Sequence, residues 1–440
     1  MKKLLLSLLL VASGTAVNAQ WTAQATGFAA ASRGLSEIRI VDANTVWAVA
    51  YDGSGGGADI QEFTRTTNGG TLWTAGNIDV GNPVLSISNI SPVSGTTAWV
   101  GTYDADNGLG GVFRTTDGGV TWEPQNSTAY TTAGVSWFNF VHFFDANNGV
   151  SMGDPEGGEF EVYRTTNGGD TWTRVPGASL PNPLTGEYGY NGGYAYAGGT
   201  LWYTTNKGRL YKTTDMGVTW TVAQAPLTDF GSAAQSGQVD FVDANNGFLL
   251  KTVGTTYTYY TTTNGGTTWS ASAPFTGTRR LISYIPGTTN TLVATSAAAP
   301  VGTSLSINNG ATWTDLEPGG TTQRGVNAFY SGSVGWAAGF SSTPTSGGVF
   351  KLSAPLATTD FAAASKFKIF PNPAYNNVTI SASGVDAYKL AVTDISGKVV
   401  LEKSLSGIEN TLDISSLSSG AYFFTLNSDS GKETVKIIKN

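Results

Sequence analysis

Thr115-Thr116-Asp117-Gly118-Gly119-Val120-Thr121-Trp122 is the clearest of six near-copies of one phrase. The others end at Trp73, Trp172, Trp220, Trp269 and Trp313, and together they read Ser/Thr-x-Asp/Asn-x-Gly-x-x-Trp. The defining positions are Asn68, Gly70 and Trp73, then Asp117, Gly119 and Trp122, then Asn167, Gly169 and Trp172. Asp215, Gly217 and Trp220, then Asn264, Gly266 and Trp269, and finally Asn308, Gly310 and Trp313 complete the set. Successive Trp residues are 49, 50, 48, 49 and 44 apart. One unit thus recurs about every 48 residues, a period that belongs to propellers and solenoids.

An Asp or Asn side chain can bond the backbone two residues on, and the Gly beside it accepts positive φ, so the middle of each phrase is a tight turn. A short β-prone run precedes each turn, such as Phe63-Thr64-Arg65, Val112-Phe113-Arg114 and Val162-Tyr163-Arg164. Each phrase therefore reads as a hairpin bend with a Trp on the outgoing strand. These phrases resemble the Asp-box, or BNR, repeats of sialidases, sortilin-type receptors and photosystem-assembly-factor-like propellers. The resemblance implies that the box joins the third and fourth strands of a blade and is structural, lying away from the ligand face.

Between boxes a first apolar strand leads to a polar turn, as in Val41-Asp42-Ala43-Asn44 and Val242-Asp243-Ala244-Asn245, and a second strand follows. Second strands appear seven times, from Val46–Ala50 to Gly335–Ala338, and a seventh third strand, Val349–Leu352, has no box after it. Its missing partner is at the other end, where Gln20-Trp21-Thr22-Ala23 matches Thr171-Trp172-Thr173-Arg174 in register. The expected fold is all-β: a seven-bladed propeller over 20–352 closed by the N-terminal strand, which removes unpaired sheet edges. A six-bladed count, as in sialidases, is the alternative.

Only 12% of residues are charged and 57 are Gly, which suits a turn-rich all-β chain. The formal charge is −7 with no basic stretch, so nucleic acid is not an expected partner. With no Cys there is no disulfide framework or thiolate metal site, and the single histidine, His142, lies in an aromatic run and reads as packed. Met1–Ala19 has the form of an export leader: Lys2-Lys3, an apolar run, then Val17-Asn18-Ala19 before a cut. Residues 353–365 read as a linker. From 366 to 440 seven short alternating strands suggest a small Ig-like β-sandwich.

This module resembles the type A C-terminal sorting domain of the type IX, or Por, secretion system. The resemblance rests on Ile369-Phe370-Pro371-Asn372-Pro373, Asp394-Ile395-Ser396-Gly397-Lys398-Val399, Leu417-Ser418-Ser419-Gly420-Ala421-Tyr422 and Lys436-Ile437-Ile438-Lys439. It implies a Gram-negative protein exported across both membranes, handled by the type IX machinery and its sortase. Such cargo is released or attached to surface lipopolysaccharide.

Loops between second and third strands and between blades share the face opposite the boxes, where ligands are expected. The ligand-binding candidates are Tyr103, Asp104, Asp106, Asp154, Glu156, Tyr188 and Tyr190. Tyr194, Tyr196 and Trp202 also bear faces for sugar stacking but read as blade core. Asp104-Ala105-Asp106-Asn107-Gly108 has oxygen ligands for calcium without a full binding loop, so no cofactor or metal is expected. A sialidase would need an Arg triad. Ile38-Arg39-Ile40-Val41 approaches its first motif but lacks the Pro, and Arg279 or Arg280 with Arg324 would have to converge on Arg39. Xyloglucanase-type enzymes resemble the repeat too, but work between two propellers. Asp154 or Glu156 as acid or base remains the hydrolase alternative. The leading expectation is a non-catalytic binding or adhesion module for a polysaccharide or envelope protein, with a purely structural surface protein as the third reading.

Overall fold

The computed structural model describes residues 21–125, 129–353, 356, 367–382, 387–395, 398–428 and 431–440. The expected leader, Gln20, nearly all of the 353–365 linker and Gly397 lie outside these residues. The chain divides into two compact units between Leu356 and Ala357.

In the first unit the described residues form seven four-stranded antiparallel sheets, numbered here as blades one to seven in chain order. Their first strands are Arg33–Ile40, Ser86–Pro92, Phe138–Phe143, Gly189–Ala197, Ser236–Phe241, Leu281–Tyr284 and Asn327–Ser331. Each packs against the first strand of the next blade and the seventh against the first, so the sheets close a ring around a channel. Blade seven is completed from the other end of the chain. Trp21–Ala25 pairs antiparallel with Ser346–Leu352, placing Trp21 opposite Leu352 and Ala25 opposite Gly348.

Because the strands alternate in direction, the first turn and the box turn of a blade share one face. Backbone bonds join them: Gly69 N–H donates to Asn44 O at 2.9 Å, Gly118 to Thr96 at 2.8 Å and Gly168 to Asn147 at 2.9 Å. The box chemistry reaches further along the chain than two residues. Asp117 Oδ1 accepts the N–H groups of Val120 and Thr121, both at 3.0 Å, while Thr115 Oγ1 accepts that of Gly119 at 2.8 Å. The two-residue bond belongs instead to the first turns, where Asp42, Asp145 and Asp243 each accept it at 2.7 Å. Since the box carboxylate holds four residues, strand pairing starts after the Trp. Trp122 ends its bend and the outgoing strand is Glu123–Pro124.

The box Trp residues fill seams between blades. Trp122 meets Phe63 of blade one edge-on at 5.9 Å, and Trp73 meets Trp336 of blade seven at 6.5 Å. At the seam of blades six and seven Trp21 takes this place, its Nε1 donating to Thr303 Oγ1 at 3.0 Å. Around the channel the seams are stitched by polar side chains. Glu37 accepts the Ile90 N–H at 2.8 Å, Asn89 exchanges two bonds with the Val141 backbone, and Asp240 accepts the Tyr284 N–H at 3.0 Å.

The second unit is a sandwich of a three-stranded sheet (Phe367–Phe370, Asn377–Ala382, Glu409–Asp413) and a four-stranded one (Ala387–Thr393, Val399–Ser406, Gly420–Ser428, Gly431–Lys439). Val378, Ile380, Leu390, Phe424 and Ile437 share its core. Asn372, between Pro371 and Pro373, binds the last strand: Oδ1 accepts Ile438 N–H and Nδ2 donates to Lys436 O, both at 2.9 Å. Tyr422 donates to Ser418 O at 2.9 Å, and Lys398 N–H reaches Asp394 Oδ1 at 3.2 Å. These motif residues tie the module's opening and turns to its strands, and Gly420 leads into the strand that carries Tyr422.

Candidate functional site

Opposite the boxes, blade three, the segment that precedes it and the loop before blade four surround a cavity of about 520 Å³ lined by Trp137, Asp154, Pro155, Leu184, Glu187 and Tyr188 among others. Asp154 and Pro155 enter its lining from the segment Gly153-Asp154-Pro155. The second strand of blade three shifts register between Gly153 and Pro155. Such a bulge re-aims the residue it frees, and the Asp154 N–H turns to Trp137 O at 2.8 Å. Gly153 is required because a Cβ there would stand 2.5 Å from the Tyr130 ring.

Asp154 Oδ1 accepts from Asn139 Nδ2 at 2.7 Å and from Gly189 N–H at 2.9 Å, joining blade three to blade four. Burial, with buried Glu161 nearby, outweighs these bonds and raises its pKa to about 6. Glu156 accepts the Thr132 hydroxyl and pairs with Arg174 at 3.5 Å.

The far wall is the loop before blade four. Its anchor is Glu187, a carboxylate with no accessible side chain, which takes Arg209 Nη1 at 3.0 Å, Thr205 Oγ1 at 2.7 Å and its own loop's Leu184 N–H at 2.7 Å. Held this way, the loop presents Leu184 and Tyr188 outward, 52% and 43% exposed. The cavity therefore offers aromatic and aliphatic faces around one half-buried carboxyl.

The structure sorts the sequence candidates. Asp154, Glu156, Tyr188 and Tyr190 are neighbours, but Tyr190 is structural: its hydroxyl binds Asp229 and its ring lies where a Cβ on Gly231 would fall. Tyr103 packs against the cluster of Trp99 and Phe138, away from the cavity lining. Asp104 accepts the N–H groups of Asp106 and Asn107 and folds its own turn. The arginines do not form the triad: Arg279 and Arg324 lie near each other around Glu317, while Arg39 and Arg280 are held elsewhere. Arg280 stacks on Tyr257 at 3.6 Å, Arg324 pairs with Glu317 beneath Trp21, and Arg39 sits in the channel with Glu37. Buried Arg279 binds Ser304 Oγ and Val301 O. Trp202 is core, but Tyr196 is not: it is 40% exposed at the box-face end of the channel, because the inner strand continues past the core to the turn. His142 is packed, with Nε2 unpartnered, and burial together with Arg39 lowers its pKa to about 3. Asn139, Trp137, Glu187 and Arg209 carry no motif that sequence reading could find.

Fold and boxes together define an Asp-box β-propeller followed by a small β-sandwich. Residues 368–440 match the model of the secretion-system C-terminal sorting domain, and residues 71–236 match that of the photosynthesis system II assembly factor YCF48. No curated protein matches the chain. Among solved structures, YCF48 bound to a D1 peptide is 12% identical, with TM-score 0.50 over 76% of this chain and 97% of that one. YCF48 from Cyanidioschyzon merolae is 16% identical, with TM-score 0.51 over 76% and 99%. The GH74 enzyme of Niastella koreensis is 13% identical, with TM-score 0.44 over 95% and 74%. At 12% and 16% identity the likeness to the two YCF48 structures is one of fold alone. The sorting domain marks the chain for type IX export, to the cell surface or the medium. Among the described residues no helix is long and apolar enough to cross a membrane.

Proposed function

We propose that the propeller is a non-catalytic binding module that takes a polysaccharide on its loop face after export. One observation carries this reading: Asp154 Oδ1 and the Glu187 carboxylate are committed to internal partners while Tyr188 and Leu184 are left outward. A pocket with few polar groups among aromatic and apolar faces suits a sugar chain, whose rings stack and whose hydroxyls need only occasional partners. Leader removal before Gln20, trimming of the sorting domain by the sortase and attachment to lipopolysaccharide complete the proposed route.

A hydrolase with Asp154 as general acid is the second reading, favoured by that residue's raised pKa. Against it stands Oδ1, which already receives two donors from the protein. Retention of the full chain on immobilised polysaccharides tests the proposal. Wild type is expected to be retained by at least one, and Tyr188→Ala to elute early from it. Equal retention of wild type and variant on every polysaccharide would overturn it.

A further inference from the structure

The channel opens on the box face into a second cavity, of about 700 Å³, which the loop-face reading does not use. Its floor is a stack across the channel. Arg39 of blade one lies 4.7 Å over the ring of Tyr194 from blade four, whose hydroxyl accepts Asn89 Nδ2 of blade two at 3.0 Å. The bulge before Tyr194 brings Gly192 against Ser88 O, so blade four also reaches blade two behind this floor. The result is a funnel, open towards the box turns and floored by a guanidinium.

Arg39 Nε is held by Glu37 at 2.5 Å, yet 34% of the Arg39 side chain remains accessible. The walls are aromatic. Tyr196 lies 4.3 Å from the His142 ring and 5.7 Å, edge-on, from Phe144. Charge decides what fits. Glu37 already balances Arg39, Asp240 acts on it from nearby, and Asp145 stands at the rim. A ligand carboxylate would add to an excess of negative groups in a confined space, where repulsion is weakly screened. An uncharged oxygen acceptor meets no such opposition, and the Arg39 donors and aromatic faces serve it directly.

We propose that this funnel binds the terminal residue of an uncharged glycan, its ring against Tyr196 and Phe144 and a hydroxyl or amide oxygen on Arg39. The site is independent of the loop-face cavity and stands whether or not that cavity binds. Two variants at exposed positions report on it: Tyr196→Ala removes a wall, and Ala146→Trp, on a rim turn, fills the mouth.

Calorimetric titration of the full chain with chitotetraose, cellotetraose, maltotetraose and tetragalacturonate tests the proposal. At least one of the three uncharged oligosaccharides is expected to bind saturably. Tyr196→Ala and Ala146→Trp should each weaken it by about tenfold or more, and Tyr188→Ala should leave it unchanged. No binding of any uncharged probe, or tighter binding of tetragalacturonate, would overturn the assignment. So would affinity that ignores both funnel variants, and loss of binding in Tyr188→Ala would move the site to the loop face.

Discussion

Asp154, shielded from water with Glu161 behind it, ionises near pH 6 in the folded chain, against about 3.9 for a free aspartate. The folded protein thus keeps a proton that the unfolded chain releases between about pH 4 and pH 6. The stability this proton contributes is complete below about pH 4 and is lost as pH rises through 6. Asp154→Asn keeps an oxygen for the Asn139 and Gly189 donors without the ionisation. Urea denaturation across this range should show the variant gaining on wild type as pH rises, and parallel curves would show that Asp154 is not so confined. A box Trp acts through volume. Trp122→Ala empties a seam between blades and should cost about 3–5 kcal/mol in the same assay. Box residues were legible because six copies expose which positions are fixed. Asn139 and Glu187 were not, since each matters through a partner brought near only by the folded ring.

At the scale of elements, the cation ending a third strand reaches the next blade. Arg65 donates to Gly95 O, Arg114 to Gly168 O at 3.0 Å and Arg164 to Met216 O at 3.0 Å. Lys351 of blade seven donates to Gly69 O of blade one at 2.6 Å, so the same device crosses the junction of chain beginning and end. The sequence places Arg65, Arg114 and Arg164 just before their boxes and Lys351 on the third strand that has none, but only closure reveals their acceptors. Removing residues 20–26 deletes the outer strand of blade seven and its Trp21 seam contact. The melting temperature should fall by about 10 °C or more, and an unchanged melt would contradict closure by this strand. The loop before blade four depends on one buried pair. Glu187→Ala leaves Arg209 buried without its partner and should cost about 3–5 kcal/mol. It should also abolish retention on any polysaccharide that Tyr188 helps to hold.

For the molecule as a whole, repetition builds the scaffold and departures from repetition build the sites. Six of the seven blades share the box and its Trp, and Trp21 fills the remaining seam. The loop-face cavity comes from the bulge at Gly153–Pro155 in blade three and a long loop before blade four; register also shifts between the second and third strands of blades two and seven, but the residues freed there differ, so periodicity does not announce the cavity. The seven strands of the C-terminal module are legible in the sequence because most of them alternate between buried and exposed residues. Tyr196 escaped the same logic: alternation assigns a face, but not the point where a strand leaves the core. The proposed function is binding without turnover. Its most direct test is prolonged incubation of the full chain with whichever polysaccharide retains it, followed by assay of new reducing ends. The count should equal that of the protein-free control at every pH from 4 to 7. Reducing ends that accumulate with time and vanish in Asp154→Asn would contradict it.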